Sequence, residues 1–434
     1  MQYYSTRNRT TRVSLREAVL KGLAPDGGLY MPERFEQLPS GFLESARGMS
    51  FHEIALTMAG SLFGREPGDG VLRRIIVEAF DFKVPLVTLA DGLHVLELFH
   101  GPTLAFKDFA ARFMARLMAH FVVGESRELH ILVATSGDTG SAVAHGFQGV
   151  PGIRVHILYP SGRVSAIQEA QLTTIGGNVS ALEVAGTFDD CQRMVKEAFL
   201  DREIGSRLML SSANSINIAR LIPQSFYYVW AWSRLEDGGH PTVVSVPSGN
   251  FGNLTAGLIA KRMGLPVQCF IAAVNRNDAV PRYLRTGSYS PGPVIPTLSN
   301  AMDVSNPSNF DRILDLYGRD HLRLAGDLKG FSFSDDQTRA AMRRLHDRYG
   351  YVADPHGAVG YLGIESFVEG NGGSVDAVFL ETAHPAKFPD TVEQATGISV
   401  PVPPQIEQAL RREKRSARMK GTVDELKGYL LSCI

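Results

Sequence analysis

His100-Gly-Pro-Thr-Leu-Ala-Phe-Lys-Asp-Phe109 decides how the rest of the chain is read. Before it, Leu93-His-Val-Leu-Glu-Leu-Phe99 alternates as a strand does. After it, apolar residues at 106, 109, 110, 113, 114, 117 and 118 recur at helical spacing and mark one buried face. Lys107 therefore falls in or near a first helical turn, just past a Gly-Pro bend, with Thr103 as the expected N-cap. The partial positive charge of a helix N-terminus disfavours an ammonium and favours the neutral amine. A neutral amine on a four-carbon arm is what a Schiff-base lysine needs, whereas a lysine that merely opens a surface helix needs nothing of the kind.

Working outward, Ser14-Leu-Arg-Glu17 has the spacing of a capping box that opens a helix to about Lys21. Gly22 to Pro32 is dense in turn residues and reads as a rigid connection. Helical patterns over 51–63 and 70–80 complete a mainly helical segment, 1–85. From Leu86 strand-like and helical runs alternate. The strands are expected at 129–134, 154–159, 179–184, 208–211, 242–246 and 267–273. The helices between them are expected at 141–147, 164–175, 188–200, 216–234 and 254–263. Continuous apolar strands alternating with helices predict an α/β fold with a mainly parallel sheet covered on both faces. Ligands of such sheets bind beyond the carboxyl ends of the strands.

Three loops at such ends carry chemistry. Ala134-Thr-Ser-Gly-Asp-Thr-Gly140 can turn N–H groups and hydroxyls toward one anion, or can simply cap the helix that follows. Ser248, Gly249, Asn250, Phe251, Gly252 and Asn253 lie between a strand and a helix and offer a phosphate cradle. That loop matches neither the Walker pattern nor GxGxxG, which disfavours nucleoside triphosphates and dinucleotides. Thr382 lies in the third, Leu380 to Phe388. An aldehyde for Lys107 and a phosphate for the 248–252 loop describe pyridoxal phosphate.

With 434 residues, 44% hydrophobic and 21% charged, the chain has room for large cores. A net charge of −1 gives no field for nucleic acid or an anionic membrane. Cys191, Cys269 and Cys433 form no metal or disulfide pattern, and no metal site is expected. The N-terminus lacks the apolar core of a signal peptide and no apolar run would span a bilayer, so the expected location is cytoplasmic. The basic run 411–420 reads as a solvated helix face, and His356 as a structural residue.

The stretches PDGGLYMP (25–32), HGPTLAFKDF (100–109), TSGDTGSA (135–142), SANSINIAR (212–220), PSGNFGN (247–253), NPSNFDR (306–312) and ETAHPAKF (381–388) stand in one order along the chain. On these motifs the chain resembles the threonine synthase family of pyridoxal-phosphate enzymes, of the tryptophan-synthase-β-like fold type II. The resemblance implies two open, mainly parallel sheets flanked by helices. It implies a core over 86–400, with a smaller subdomain at about 110–215 and a loop-rich insertion at about 281–350. A C-terminal helical tail over 401–434 completes the expected organisation.

It also implies conversion of O-phospho-L-homoserine and water to L-threonine and phosphate, the last step of threonine biosynthesis, by a monomer or homodimer. By likeness, Lys107 carries the cofactor as a Schiff base. The 248–253 loop holds its phosphate, and Thr382 bonds the pyridine nitrogen through a neutral hydroxyl. Ser136, Gly137, Asp138 and Thr139 would bind the substrate carboxylate. Relatives of the fold usually have Asn where this chain has Asp138, so a helix cap is the alternative there. For the substrate phosphate the expected residues are Ser215, Asn217 and Arg220, with Thr103 and Lys387 as further candidates. The rival readings are a threonine or serine dehydratase on the same fold and a non-catalytic cofactor- or phosphate-binding homologue.

Overall fold

The computed structural model describes residues 1–433 apart from Arg65, Ser136, Asp237 and Gly238. Strands β1 (Tyr3–Ser5), β2 (Asn8–Val13) and β3 (Tyr30–Pro32) form a small antiparallel sheet, ordered β2-β1-β3, at the start of the chain. The N-terminal segment is therefore not only helical: Gly22–Pro32 folds back to pair its last residues with Tyr3–Ser5. The helix after Ser14 begins at Leu15 as expected, but only half of the capping box is made. Ser14 Oγ accepts from Glu17 N–H, while the Glu17 carboxylate turns to Lys21 Nζ instead.

The remaining strands are β4 (Leu86–Ala90), β5 (Leu93–Glu97), β6 (Leu129–Ala134), β7 (Ile153–Pro160), β8 (Val179–Ala185), β9 (Met209–Ser212), β10 (Thr242–Pro247), β11 (Val267–Val274), β12 (Leu328–Ser332), β13 (Asp376–Glu381) and β14 (Ser416–Lys420). They make two sheets among the described residues, ordered β12-β11-β10-β13-β5-β4 and β14-β8-β7-β6-β9. Every pairing in the two is parallel except that of β4 with β5. The central strands feed two cores because side chains alternate across a sheet. Val244, Val246, Phe270, Ala272 and Val378 join the core that also holds Ile131, Val133, Val155 and Ile157 of the other sheet. Their neighbours Val243, Ile271, Ala273 and Phe379 face a second core with Val359 and Leu362. Leu132, Leu158, Leu182 and Val184 face a third. Both sheets are thus covered on both sides, as their continuous apolar runs require.

Three expectations are corrected here. The helical stretch expected over 216–234 begins at Ile218, because Asn217 is its N-cap, and passes through a 3₁₀ turn over Ile222–Ser225. Pro223 has no N–H to continue the α-helical ladder. The 281–350 region is not only an insertion, since it supplies β12, which extends the six-stranded sheet at β11. The C-terminal tail is not wholly helical either: the basic run contains β14, an edge strand paired with β8. Lys414 beside it pairs with the buried carboxylate of Glu183, which also accepts from Ser161 and Ser416 hydroxyls.

Close packing at one glycine gives a stability test. In the Pro355–Asn371 helix, a Cβ on Gly357 would fall on Glu381 Oε2. Gly357→Ala is expected to cost about 1–3 kcal/mol through overpacking. Gly370→Ala, in the same helix with nothing within 4 Å of its added Cβ, is the control and leaves the thermal midpoint unchanged or slightly raised. Equal melting of the two variants would show that the Gly357 contact is not tight.

Candidate active site

The strands β10, β13 and β5 are neighbours in one sheet, and the loops after their carboxyl ends carry Ser248–Asn253, Thr382 and Lys107. The turn after β6 carries Gly137–Thr139, and the turn after β9, its neighbour in the other sheet, carries Ser215–Arg220. All five motifs thus lie at carboxyl ends of parallel strands, where this class of sheet binds ligands.

Lys107 is the first residue of the Lys107–Phe121 helix. Backbone bonds zip its approach loop to the loop after β13: Leu98 N–H to Glu381 O, Phe106 N–H to Thr382 O, and His384 N–H to Leu104 O. Leu104 is held at φ 58, a conformation rare for a branched side chain and found where a fold over-determines its backbone. Thr103 is not the N-cap. Its Oγ1 and N–H both donate to the Asp108 carboxylate at 2.8 and 2.9 Å, and Phe106 occupies the cap position without a side-chain bond. Burial pushes the Asp108 carboxyl up to about 6, partly countered by the two Thr103 bonds. The Thr103 hydroxyl is thereby committed inside the fold.

Burial lowers the pKa of Lys107, Asp138 opposes this, and Lys387 and Arg220 add to it. Asp138 accordingly neither caps its helix nor stands alone. Its Oδ1 lies 2.6 Å from Lys387 Nζ and accepts from Gln168 Nε2 at 3.1 Å, while Oδ2 lies 3.8 Å from Lys107 Nζ. Burial alone would raise its pKa, but the two lysines outweigh that and hold it well below the usual carboxylate range. In the same turn Thr135 Oγ1 accepts from Gly137 and Gly140 N–H. Those two amides are spent within the loop, whereas the amides of Asp138 and Thr139 stand in the first turn of the Asp138–Phe147 helix, where a helix offers no partner of its own. Ser136 lies outside the described residues.

The 248–253 loop enters an eleven-residue helix, Gly252–Arg262, through Phe251 at φ 60. Gly249 packs so closely on Met302 that an added Cβ would lie 2.7 Å from its Cα. Asn250 donates to Ser215 Oγ at 2.6 Å and accepts from Ser308 N–H, and Asn309 Nδ2 donates to Asn250 O. Ser248 Oγ donates to Val246 O. Asn253 is oriented by Tyr227 and Tyr228, whose hydroxyls both donate to its Oδ1, leaving its buried Nδ2 without a partner. The Thr382 hydroxyl, 7% exposed as a residue, makes no hydrogen bond among the described residues.

Arg220 is buried, with Nη1 donating to Ala213 O at 2.7 Å and Nε unpartnered. Among the described residues no carboxylate lies within 4.0 Å of it, so it is not the surface ion pair that a lone arginine suggests. Burial pulls it down to about 10, with Asp108 partly opposing. Asn217 does not reach the site with its side chain: Oδ1 caps Ala219 N–H, and Nδ2 donates to Val19 O and Ser212 O.

Lys387, a further candidate for the substrate phosphate, is instead turned inward on Asp138 and Thr103 O. One group escaped the sequence reading, Arg312. Fully buried, it donates to Tyr30 O, Ser215 O, Ile216 O and Asn309 Oδ1, tying the N-terminal sheet to the Ser215 turn. The 306–312 motif contained it, but its partners are scattered along the chain. His356 is structural, as expected: its Nδ1 donates to Asp354 and its Nε2 accepts from Ala301 N–H.

Residues 2–80 match the family described as threonine synthase N terminus, and residues 85–415 match the family of pyridoxal-phosphate dependent enzymes. The threonine synthase of Haemophilus influenzae is 42% identical over 432 residues, 99% of this chain and 100% of the relative. The crystal structure of threonine synthase from Escherichia coli superposes with a TM-score of 0.93 at 40% identity, covering 100% of both chains. The pyridoxal-phosphate-bound threonine synthase of Brucella melitensis gives a TM-score of 0.91 at 36% identity, covering 99% of this chain and 98% of that one.

Proposed function

The chain belongs to the pyridoxal-phosphate dependent enzymes and, within them, to the threonine synthase family, and on that premise we propose that it converts O-phospho-L-homoserine and water to L-threonine and phosphate. The observation that carries the phosphorylated substrate is Arg220, a buried guanidinium beside Lys107 with no carboxylate partner among the described residues. A buried cation left unpaired is costly, and an incoming dianion would pair it.

The residues present fit pyridoxal phosphate. Lys107 Nζ would hold it covalently, the amides of Gly252–Leu254 at the helix start and the free Nδ2 of Asn253 would face its phosphate, and the unspent Thr382 hydroxyl its ring nitrogen. When bound, the cofactor supplies an electron sink for negative charge at the substrate's α carbon. Lys107 Nζ, once free, takes the proton from Cα and, as the phosphate leaves Cγ, the one from Cβ. It returns one to Cγ before water adds at Cβ and one to Cα at the end, roles that require a neutral amine in reach. Arg220 and the Ser215 hydroxyl bind the substrate phosphate. Ser215 Oγ accepts from Asn250 Nδ2 and Asn309 Nδ2, so its proton is left to give. The Asp138 and Thr139 amides receive the substrate carboxylate. Lys387 cancels the Asp138 charge that would otherwise repel it.

Every one of these groups comes from a single chain, so a monomer or a homodimer would serve. No described helix is long and apolar enough to cross a membrane. We place the enzyme in the cytoplasm, with its three free cysteines as the supporting observation.

The test is product analysis with O-phospho-L-homoserine. Phosphate and threonine are expected in equal amounts. A 2-oxo acid formed from threonine or serine, with no phosphate release, would favour the dehydratase reading, and no turnover with an intact borohydride label would favour the non-catalytic one.

A further inference from the structure

Two lysines from separate elements meet at one buried carboxylate: Lys107 at the start of its helix and Lys387 in the turn after β13 flank Asp138. We propose that Asp138 is a positioning residue that sets the charge state of the Lys107 amine, and that Lys387 governs how much of the Asp138 charge that amine feels. The proposal rests on reading Lys107 as the cofactor anchor.

The geometry is asymmetric in the way this requires. Oδ1 is taken twice, by Lys387 Nζ at 2.6 Å and by Gln168 Nε2 at 3.1 Å. Oδ2 is the oxygen toward Lys107, and it stands off at 3.8 Å, beyond hydrogen-bond length. Lys387 cannot drift away, because its Nζ also donates to Thr103 O at 3.0 Å and its side chain is wholly buried. A carboxylate with no other partner would draw the Lys107 proton into a direct ion pair and leave a poor nucleophile. Lys387 prevents that by satisfying Asp138 first. When Lys107 gains a proton during turnover, Oδ2 is the charge it faces.

The other charged groups around Lys107 are Arg220, from the turn after β9, and Asp108, the next residue on its own helix. Asp108 faces Thr103 and Arg220, so it does not substitute for Asp138. Burial and the two cations lower Lys107 while Asp138 raises it, and Asp138 is the larger of the two lysine-facing influences that the pair contributes.

A role as a mere pin between the sheets predicts something different. Loosening the pocket would let water in, and a rehydrated Lys107 would move up toward its ordinary value whichever partner was removed. The charge role predicts opposite directions for the two partners.

The experiment is the pH dependence of reductive methylation at Lys107 in the full chain freed of cofactor, read by peptide mass spectrometry. Circular dichroism checks that each variant is folded. Asp138→Asn is expected to lower the midpoint, and Lys387→Met to raise it. A fall of half a unit makes labelling below the midpoint about threefold faster. If Asp138→Asn does not fold because it strands Lys387, the Asp138→Asn/Lys387→Met double variant decides. It strands neither member of the Asp138–Lys387 pair, and its midpoint is also expected below that of the parent. A midpoint at or above the parent in both Asp138 variants would overturn the proposal. The titration needs no bound cofactor, so it is separable from the anchor assignment, which fails only if borohydride fixes the cofactor elsewhere than Lys107.

Discussion

Lys107→Ala is expected to lower turnover at least about 10³-fold and to abolish the borohydride-fixed cofactor label, while leaving the thermal midpoint of the cofactor-free protein near that of the parent. The size follows from losing the covalent anchor and the positioned base together, when positioned proton transfer alone contributes about 10²–10⁴-fold. Stability should hold because the substitution removes a desolvated amine rather than a packed hydrocarbon core. Lys387 is the nearest other amine by its Asp138 partner, but it does not rescue the variant: its Nζ is held by Asp138 and Thr103 O. Lys107→Arg is expected to fail equally, since a guanidinium stays charged and forms no Schiff base. Steady-state assay, absorbance and mass spectrometry of the reduced peptide check the result. A fixed label on another lysine, with activity retained, would sink the assignment.

Arg220→Met is expected to reduce kcat/KM for O-phospho-L-homoserine by about 30-fold to several-thousand-fold, the equivalent of about 2–5 kcal/mol for truncating one member of a buried charge pair. The cofactor label on Lys107 should survive. The free protein should be at least as stable as the parent, because the guanidinium is buried with no carboxylate among the described residues and with its Nε unsatisfied. Apolar replacement of a buried, unpaired cation removes a desolvation cost. Loss of activity together with a gain in thermal midpoint is the signature of a residue kept for its ligand. A variant that loses stability and keeps its kcat/KM would instead make Arg220 a structural tether for Ala213.

The sequence was informative where chemistry is local. Helix starts, turn residues and apolar runs lie within a few positions of one another, so the strand-to-helix setting of Lys107 and of the 248–253 loop could be read before any fold was known. Side-chain commitments over long range could not. Thr103 looks like a cap from its spacing, but Asp108 in the next turn competes for it and wins both its donors. Asn217 looks like a ligand donor, but Val19 and Ser212 carbonyls take its amide. Asp138 seemed a misplaced negative charge because its counter-cation, Lys387, stands far along the chain. The basic run at 411–420 offered a helix-like charge pattern, and only the open edge of β8 made it a strand.

That edge strand bears on how the protein is made. β14 pairs in parallel with β8, and its neighbour Lys414 neutralises the buried Glu183 on that strand. During synthesis, β6 to β9 leave the ribosome long before β14 exists. Until then β8 presents an unpaired hydrogen-bonding edge and Glu183 lacks its cation. A nascent chain with such an edge is open to pairing with its neighbours. The smaller sheet is thus sealed last, by late contacts of high sequence separation that are slow to form.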